Sequence, residues 1–230
     1  TMADQFGTDW RTTLGYEKDA LVPYAVAALL NYLHETQKHG VERIKTVQNY
    51  ADAQYMRLSP VTRANLELTE TMRGREKRGT LLWVLDKTET SMGKRLLRSW
   101  IEQPLVDAEA INARLCAVQA LYSASIARAD LKEALGHVFD IERLTTRILY
   151  GSATPREVKA LGDTCAMLPQ VKAQAAACGA PLLTQLADQI DLLEDVLQNI
   201  QTALVDDPPA NMKDGGAIRA GFNSEVGGLR

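Results

Sequence analysis

The sequence has few of the residues on which several large classes of protein depend. It contains three cysteines, and no two of them form a Cys-x-x-Cys pair, so we expect neither a disulfide framework nor a zinc knuckle. Aromatic residues make up only 6% of the chain, which disfavours a β-sandwich. No apolar run reaches the roughly 18 residues of a transmembrane helix, and no signal-peptide pattern is present. These absences predict a soluble, cytoplasmic protein from a reducing compartment.

Excess positive charge is also missing. The net charge is −3, whereas a domain that holds duplex DNA mainly through phosphate contacts is usually basic. The exception is residues 73–100, here called the basic segment, where eight lysines and arginines stand against three acidic residues. Its densest part, residues 73–78, is either a contact for phosphate or an acidic partner, or a solvated loop between packed segments. Because isolated charge runs are usually solvated, we favour the loop.

Helical periodicity dominates the rest of the chain. Alanine and leucine are abundant, and apolar residues recur three and four positions apart behind recognisable capping residues. A first helix, from the N-cap Asp19 to Gly40, is apolar over more than half its circumference and should lie centrally in the core. Further helices are predicted over residues 59–68, 80–85, 90–104, 107–121 and 131–148 (interrupted near Gly136), with Ser59, Thr90 and Asp107 as capping residues at three of these starts. Another helix should begin with a capping box at Thr154–Glu157 and kink or break near Pro169.

The clearest periodicity lies over residues 183–204. Seven leucines and isoleucines alternate steps of three and four, with acidic residues off the seam. Three such heptads predict one long straight helix packed along a partner helix. We favour a partner inside the domain over a dimer. By contrast, residues 43–58 are rich in β-branched and aromatic residues and predict a small β-hairpin. The predicted fold is therefore mainly α, a multi-helix core with long helices and a small β-hairpin element.

No residue is predicted to catalyse a reaction or to bind a cofactor or a metal. Gly93-Lys94 lacks the preceding glycine and the following Ser or Thr of a phosphate-binding loop. The three histidines are too far apart for an i, i+4 metal pair, and the paired carboxylates Asp206 and Asp207 precede Pro-Pro at a helix end, where capping or solvation explains them. The sequence by itself indicates a helical structural or interaction module.

Several ordered blocks of the sequence resemble the MutS family of DNA mismatch-repair proteins. The blocks are Thr62–Leu68, Gly79–Asp86, Thr90–Trp100, Gln103–Leu105, Ile111–Leu115, Asp140–Leu144, Pro155-Arg156, and Asp214–Gly216 with Gly221. The resemblance covers almost the whole chain. It implies the central core and lever region of such a protein, with residues 1–20 as the end of a connector domain and linker, 21–223 as the first part of the core and lever domain, and 224–230 as the start of the segment leading to the DNA clamp.

The resemblance also implies a mechanical role. Two family signatures are absent, because the chain has no Phe-x-Glu wedge for mismatch insertion and no Walker motif for ATP. The implied function is therefore non-enzymatic: helices that relay conformational change between the ATPase and clamp domains. ATP, magnesium and mismatched duplex DNA would bind other domains of a parent protein that is a homodimer, has MutL as partner and is associated with the nucleoid.

Two other functions are compatible with the residue pattern. The chain could be an α-helical scaffold or adaptor that binds a partner helix through residues 183–204. It could instead be an independent DNA-binding helical domain that uses the basic segment, in which case its affinity should fall steeply with salt.

Overall fold

A computed structural model describes residues 1–15, 21–37, 40–47 and 54–222. Within these residues the protein is mainly helical, as predicted, and β-structure is confined to two isolated bridges. The chain divides into two compact units, residues 1–52 and 53–230.

The first unit is a small helical cluster. It contains α1 (Met2–Phe6), α2 (Trp10–Thr13), α3 (Val22–Thr36) and a single 3-10 turn at Val41–Arg43. Met2, Leu30 and Val41 form its buried centre. Gln5 closes the cluster, because its side-chain amide donates to the carbonyl oxygens of Val41 and Ile44 at 2.7 and 2.8 Å.

The prediction that α3 lies centrally in the core is wrong. Its side chains Tyr24, Leu29 and Tyr32 are all more than half exposed, whereas Leu30 is buried. Apolar composition predicted burial all round, but the two short elements that pack on α3, which are α1 and the 3-10 turn, cover only one face. The predicted N-cap Asp19 lies outside the described residues, and the helix begins at Val22.

The second unit contains the remaining helices. Side-chain oxygens begin most of them: Ser59, Thr80, Thr90, Asp107, Asp140 and Thr154 each accept a hydrogen bond from the backbone three residues on. The helices are α4 (Pro60–Asn65), α5 (Leu81–Leu85), α6 (Ser91–Glu102), α7 (Ala108–Ser123), α8 (Ser125–Gly136), α9 (Ile141–Leu149), α10 (Pro155–Ala177), α11 (Pro181–Asp188) and α12 (Glu194–Ala203).

Helix α10 is the centre of this unit. It packs against α8, α9, α11 and α12, and eight of its 23 residues are buried. Its start is the predicted capping box: Glu157 N–H donates to Thr154 Oγ1 at 3.3 Å, and Thr154 N–H donates to Glu157 Oε2 at 2.8 Å. The helix continues through Pro169 to Ala177, so the predicted break does not occur. Packing on four neighbours holds the helix despite the hydrogen bond that proline cannot make.

The single long helix predicted over residues 183–204 is wrong. Helix α11 ends at Asp188, α12 begins at Glu194, and Leu193 between them adopts a left-handed conformation with φ of 51°. The Asp191 carboxylate accepts a hydrogen bond from Leu193 N–H at 3.0 Å, which fixes this turn. The C-terminal part of the apolar stripe still faces inward, since Leu193, Leu197, Ile200 and Leu204 pack with α10 residues in one core, whereas Leu186 is half exposed.

The predicted β-hairpin over residues 43–58 is not confirmed. Residues 48–53 lie outside the described part of the chain, and residues 44–47 have no regular structure. Tyr55 instead forms an isolated antiparallel bridge with Leu105, well beyond the predicted hairpin. The β-branched residues in this segment indicated extended backbone, but they gave no information about its partner.

Gly162 sets the distance between α10 and α12. A Cβ added there would lie 2.8 Å from Ile200 Cγ2, closer than two carbon atoms tolerate. We expect Gly162→Ala to destabilise the protein by about 1–3 kcal/mol in urea unfolding, although alanine favours helices, because the added methyl overpacks the core.

Gly136→Ala is the matched control, because Gly136 is also a helical glycine, the last residue of α8, and has no atom within 4 Å of an added Cβ. That change should be neutral or stabilising by up to about 1 kcal/mol. In an Ile200→Ala background the nearest atom would be Cβ at 3.5 Å, so Gly162→Ala should lose most of its cost there. Equal effects of Gly162→Ala in both backgrounds would contradict the proposed contact.

Candidate functional site

The basic segment is divided by the structure into a paired half and an unpaired half. The paired half lies on α6, where Lys94 binds Asp86 at 2.7 Å and Arg98 binds Glu102 at 2.9 Å. Bonds from Lys94 and Thr88 lower the pKa of the Asp86 carboxyl below its ordinary value. These α6 cations are neutralised within the chain and leave little positive charge for a ligand.

Arg95 joins α6 to α9. Its guanidinium donates to both carboxylate oxygens of Asp140, at 2.7 and 2.9 Å, and also contacts Glu142. Asp140 is at the same time the N-cap of α9. The Arg95 guanidinium lowers the pKa of the Asp140 carboxyl, and the two carboxylates raise the pKa of Arg95. This bidentate pair fixes the relative position of two helices.

The unpaired half is a closed loop between α4 and α5. Its two ends meet, because Leu81 and Leu82 N–H donate to the carbonyl oxygens of Glu67 and Leu68 at 3.2 and 2.9 Å. The Thr71 hydroxyl organises the interior by donating to Arg73 O at 2.8 Å and accepting from Glu76 N–H at 3.0 Å. The loop is therefore held in one conformation by its own hydrogen bonds.

The cations of this loop project into solvent. Residues 72–79 are all exposed, as the favoured solvated-loop interpretation requires. In the described part of the chain no hydrogen bond or ion pair engages the side chains of Arg73, Arg75, Lys77 or Arg78. Among the described residues of the second unit, this loop holds the largest group of unpaired cations that lie close together in sequence.

A cleft of about 470 Å³ lies beside the loop and was not foreseen from the sequence. Arg63 of α4 and Arg75 of the loop both line it. The Nε of Arg63 is buried and has no hydrogen-bond partner. Nothing in the charge pattern singled out Arg63, because it stands alone between uncharged residues, and the chain brings it next to the loop only on folding.

The other residues weighed in the sequence analysis have structural roles. Gly93 and Lys94 lie inside α6, where Gly93 N–H donates to Thr90 Oγ1. No group of histidine, cysteine, aspartate and glutamate suited to a metal occurs among the described residues. Asp206 pairs with Arg219 at 2.6 Å at the bridge between Leu204 and Ile218, so it helps fasten the chain after α12 rather than simply capping that helix.

The chain is mainly helical in its described residues. Comparison with known proteins gives its family: the family model MutS domain III matches residues 61–225. DNA mismatch repair protein MutS of Alkaliphilus oremlandii is 43% identical over 223 residues, 97% of this chain. The protein of the same name from Lachnoclostridium phytofermentans is 39% identical over 230 residues, 100% of this chain. The chain belongs to the MutS family.

This chain spans about 25% of the length of those two relatives. Among the described residues, none of the helices has both the length and the apolar composition to cross a membrane.

The Arg95–Asp140 pair makes a prediction about stability and pH. Asp140→Asn keeps an N-cap acceptor but removes the charge, so it should destabilise the protein by about 1 kcal/mol at pH 7. Because the folded-state pKa of Asp140 is lowered, the contribution is complete above its unfolded pKa of about 3.9 and is lost as the pH falls toward the folded pKa. Urea unfolding of both proteins between pH 7 and pH 3 measures this.

Asp107→Asn is the matched control, because Asp107 caps α7 through Ala110 N–H at 2.9 Å and has no ion pair in the described residues. It should change stability by a few tenths of a kcal/mol at either pH. Equal losses for the two variants would show that capping, and not the bond to Arg95, is what Asp140 contributes.

Proposed function

We propose that this chain is the structural segment of a DNA mismatch-repair protein that relays conformational change between an ATPase domain and a DNA-clamp domain, and that it performs no catalysis itself. The observation that carries this proposal is the position of α10, a 23-residue helix in contact with four others. Membership of the MutS family and the names of the relatives supply the process, mismatch repair.

A relay requires an element that moves as one body. At 1.5 Å per residue α10 is about 34 Å long, which is enough to connect distant parts of a larger protein. Its buried residues continue from Pro155 to Ala175, so neighbouring helices support it along nearly its whole length. A displacement at one end would therefore be passed along the helix to the other end.

Polar contacts extend this rigid body beyond α10. The buried Thr164 hydroxyl accepts a hydrogen bond from Phe139 N–H at 3.1 Å, immediately before α9, and donates to Ala160 O. Arg147 of α9 binds Glu157 of α10 at 2.9 Å. Together with the Arg95–Asp140 pair, these bonds connect α6, α9 and α10.

The parent protein supplies the ligands in this proposal. Residues 1–20 would end a connector domain, 21–223 would form the first part of the core and lever domain, and 224–230 would lead toward the clamp. Mismatched duplex DNA, ATP and magnesium would bind other domains, and a homodimer with MutL as partner would be the working assembly, in the cytoplasm at the nucleoid.

The relay can be tested by lowering the intrinsic helix stability of α10 without removing any core contact. The test uses a full-length MutS that carries this segment and combines two substitutions at exposed positions of α10, Gln170→Gly and Ala173→Gly. Each substitution lowers the stability of the helix by about 1 kcal/mol. We expect them to reduce the ATP-induced change in affinity for mismatched DNA by about 2- to 30-fold, as fluorescence anisotropy with and without ATP measures. Affinity without ATP should stay the same.

The matched control is Ala113→Gly with Gln119→Gly, also at exposed positions, in α7. Helix α7 packs on α8 and α11 and is not among the helices that pack on α10. The same two types of substitution therefore lower helix stability at a place outside the proposed relay. If both double variants fold and both keep full ATP control of DNA binding, the relay proposal is wrong.

The adaptor function is disfavoured by the structure of residues 183–204. The leucines and isoleucines that would contact a partner helix are divided between two short helices, and Leu193, Leu197, Ile200 and Leu204 pack in the protein's own core. A partner helix would therefore meet neither one continuous helix nor an uncovered row of apolar side chains.

Independent DNA binding is favoured by one observation, the four unpaired cations of residues 73–78. We nevertheless expect weak and equal binding of this 230-residue chain to homoduplex and single-mismatch duplex DNA at about 150 mM salt, because four exposed contacts lose most of their affinity there. Fluorescence anisotropy of labelled duplexes checks this. Tight binding with a preference for the mismatch would show that this segment reads DNA itself.

A further inference from the structure

Residues 183–204 carry the pattern of one helix but form two. Seven leucines and isoleucines alternate steps of three and four through this segment: Leu183, Leu186, Ile190, Leu193, Leu197, Ile200 and Leu204. Neither glycine nor proline occurs between Pro181 and Pro208. Helix α11 nevertheless ends at Asp188, and α12 begins only at Glu194. The two residue types that most often interrupt helices are therefore absent from the place where this helix is interrupted.

The two helices do not use the row of apolar residues in the same way. In α12, Leu197 and Ile200 belong to the core that is shared with α10. In α11, Leu186 is 49% exposed, and the fully buried residue is Ala187, which is outside the row. In one continuous helix Leu186 would lie on the same face as Leu193 and Leu197, which follow it by seven and eleven residues. The row is therefore continuous in the sequence and discontinuous in this structure.

Two side chains hold the interruption, which strains the backbone. Leu193 has φ of 51°, a conformation that is unfavourable for a residue with a β-carbon. Its N–H donates to the Asp191 carboxylate at 3.0 Å, and the carbonyl oxygen of Ile190 accepts from Lys172 Nζ of α10, also at 3.0 Å. In a continuous helix this N–H would donate to the carbonyl four residues before it, and the Ile190 carbonyl would accept from the N–H four residues after it. Asp191 and Lys172 therefore occupy backbone groups that would otherwise join the two helices.

The packing of α11 favours the interrupted state. Helix α11 lies against α10 and α7. If α12 stays in place, a straight continuation of it cannot follow the present path of α11, so α11 would leave both neighbours. Against that loss stand the strain relieved at Leu193 and the backbone hydrogen bonds that residues 189–193 would gain. Opposing contributions of this kind commonly leave the less stable conformation populated at about 0.1–10%.

We propose that residues 183–204 have two conformational states. One is the interrupted helix of this structure, held by Asp191 and Lys172. The other is a single continuous helix, in which residues 189–193 join α11 to α12 and α11 is released from α10 and α7. The continuous state is the minor one, and it uncovers the surfaces of α10 and α7 that α11 occupies here. This device belongs to the segment itself and does not depend on the relay proposed for α10.

The test is ¹³C chemical exchange saturation transfer NMR of the 230-residue chain, which detects minor states by their own chemical shifts. Residues 190–193 have no regular structure here, so their Cα shifts distinguish the two states. We expect a minor state with helical Cα shifts at residues 190–193, at about 1% of the protein. Local unfolding would instead give a minor state with random-coil shifts.

Asp191→Ala removes the carboxylate that binds Leu193 N–H. We expect it to raise the population of the continuous state by about 2- to 30-fold, as the loss of a capping acceptor does. Asp188→Ala is the matched control, because it removes an exposed aspartate three residues away at a position that is helical in both states. It should change the population by no more than about twofold.

Lys172→Met is an independent variant on a different helix. It keeps most of the side-chain stem and removes the ammonium that binds the Ile190 carbonyl. We expect it to raise the population of the continuous state by about 2- to 10-fold, which is the effect of one hydrogen bond. The proposal therefore stays testable if either Asp191→Ala or Lys172→Met disturbs folding.

Three results would overturn the proposal. The first is that no helical minor state is found at residues 190–193 in whichever of Asp191→Ala and Lys172→Met folds. The second is a minor state with random-coil shifts, which would mean that the segment unfolds instead of joining. The third is an equal effect of Asp188→Ala and Asp191→Ala, which would mean that the Asp191 carboxylate does not hold the interruption.

Discussion

The close approach of α12 to α10 at Gly162 is the constraint on which the second unit depends. Glycine inside a helix costs about 1 kcal/mol relative to alanine, so its presence in the middle of a 23-residue helix has to be offset by what it permits. It permits Ile200 to pack directly against the α10 backbone. Leu161 and Cys165 then share one core with Leu204 and Ala217. Burial also raises the pKa of the Cys165 thiol, as expected for a packing residue.

This approach explains why the chain turns between α11 and α12. A straight helix through residues 183–204 would follow one line along α10, whereas two helices with a left-handed residue between them reach α10 in two places. Leu193 has a strained conformation for a β-carbon-bearing residue, and the hydrogen bond from its N–H to Asp191 compensates. The extra contact along α10 is what makes the strain tolerable.

The sequence predicted helix starts well because their cause is local. Ser59, Thr90, Asp107 and Thr154 were each expected to cap a helix, and each accepts the expected backbone hydrogen bond. Continuity was not predictable in the same way. The heptad spacing of residues 183–204 predicts which side chains face a partner helix. One long helix and two short helices on the same partner have the same spacing, so the pattern does not distinguish them.

Ion pairing was the least predictable feature, because the partner of a charged side chain is often distant in sequence. Residues 73–100 counted as a basic segment, yet Arg95 is bound by Asp140 and Glu142, more than forty residues away. Local counting cannot reveal such pairs. The same limit hid Arg63, which has one charge and no charged neighbour but lies beside Arg75 once the loop closes.

What remains unpaired after folding indicates the kind of surface this loop forms. Helix α5 follows it directly and exposes Trp83, at 51% of its surface, together with Val84 and Leu85. Met72 in the loop is also exposed. Arginine, methionine and aromatic residues are the types enriched in protein–protein contacts, whereas a surface for the DNA backbone needs cations without such apolar neighbours. Because the α6 cations are already neutralised, the remaining face combines a few fixed arginines with apolar side chains. That combination differs from the open basic stripe that suits the DNA backbone, which agrees with the weak duplex binding expected of this chain.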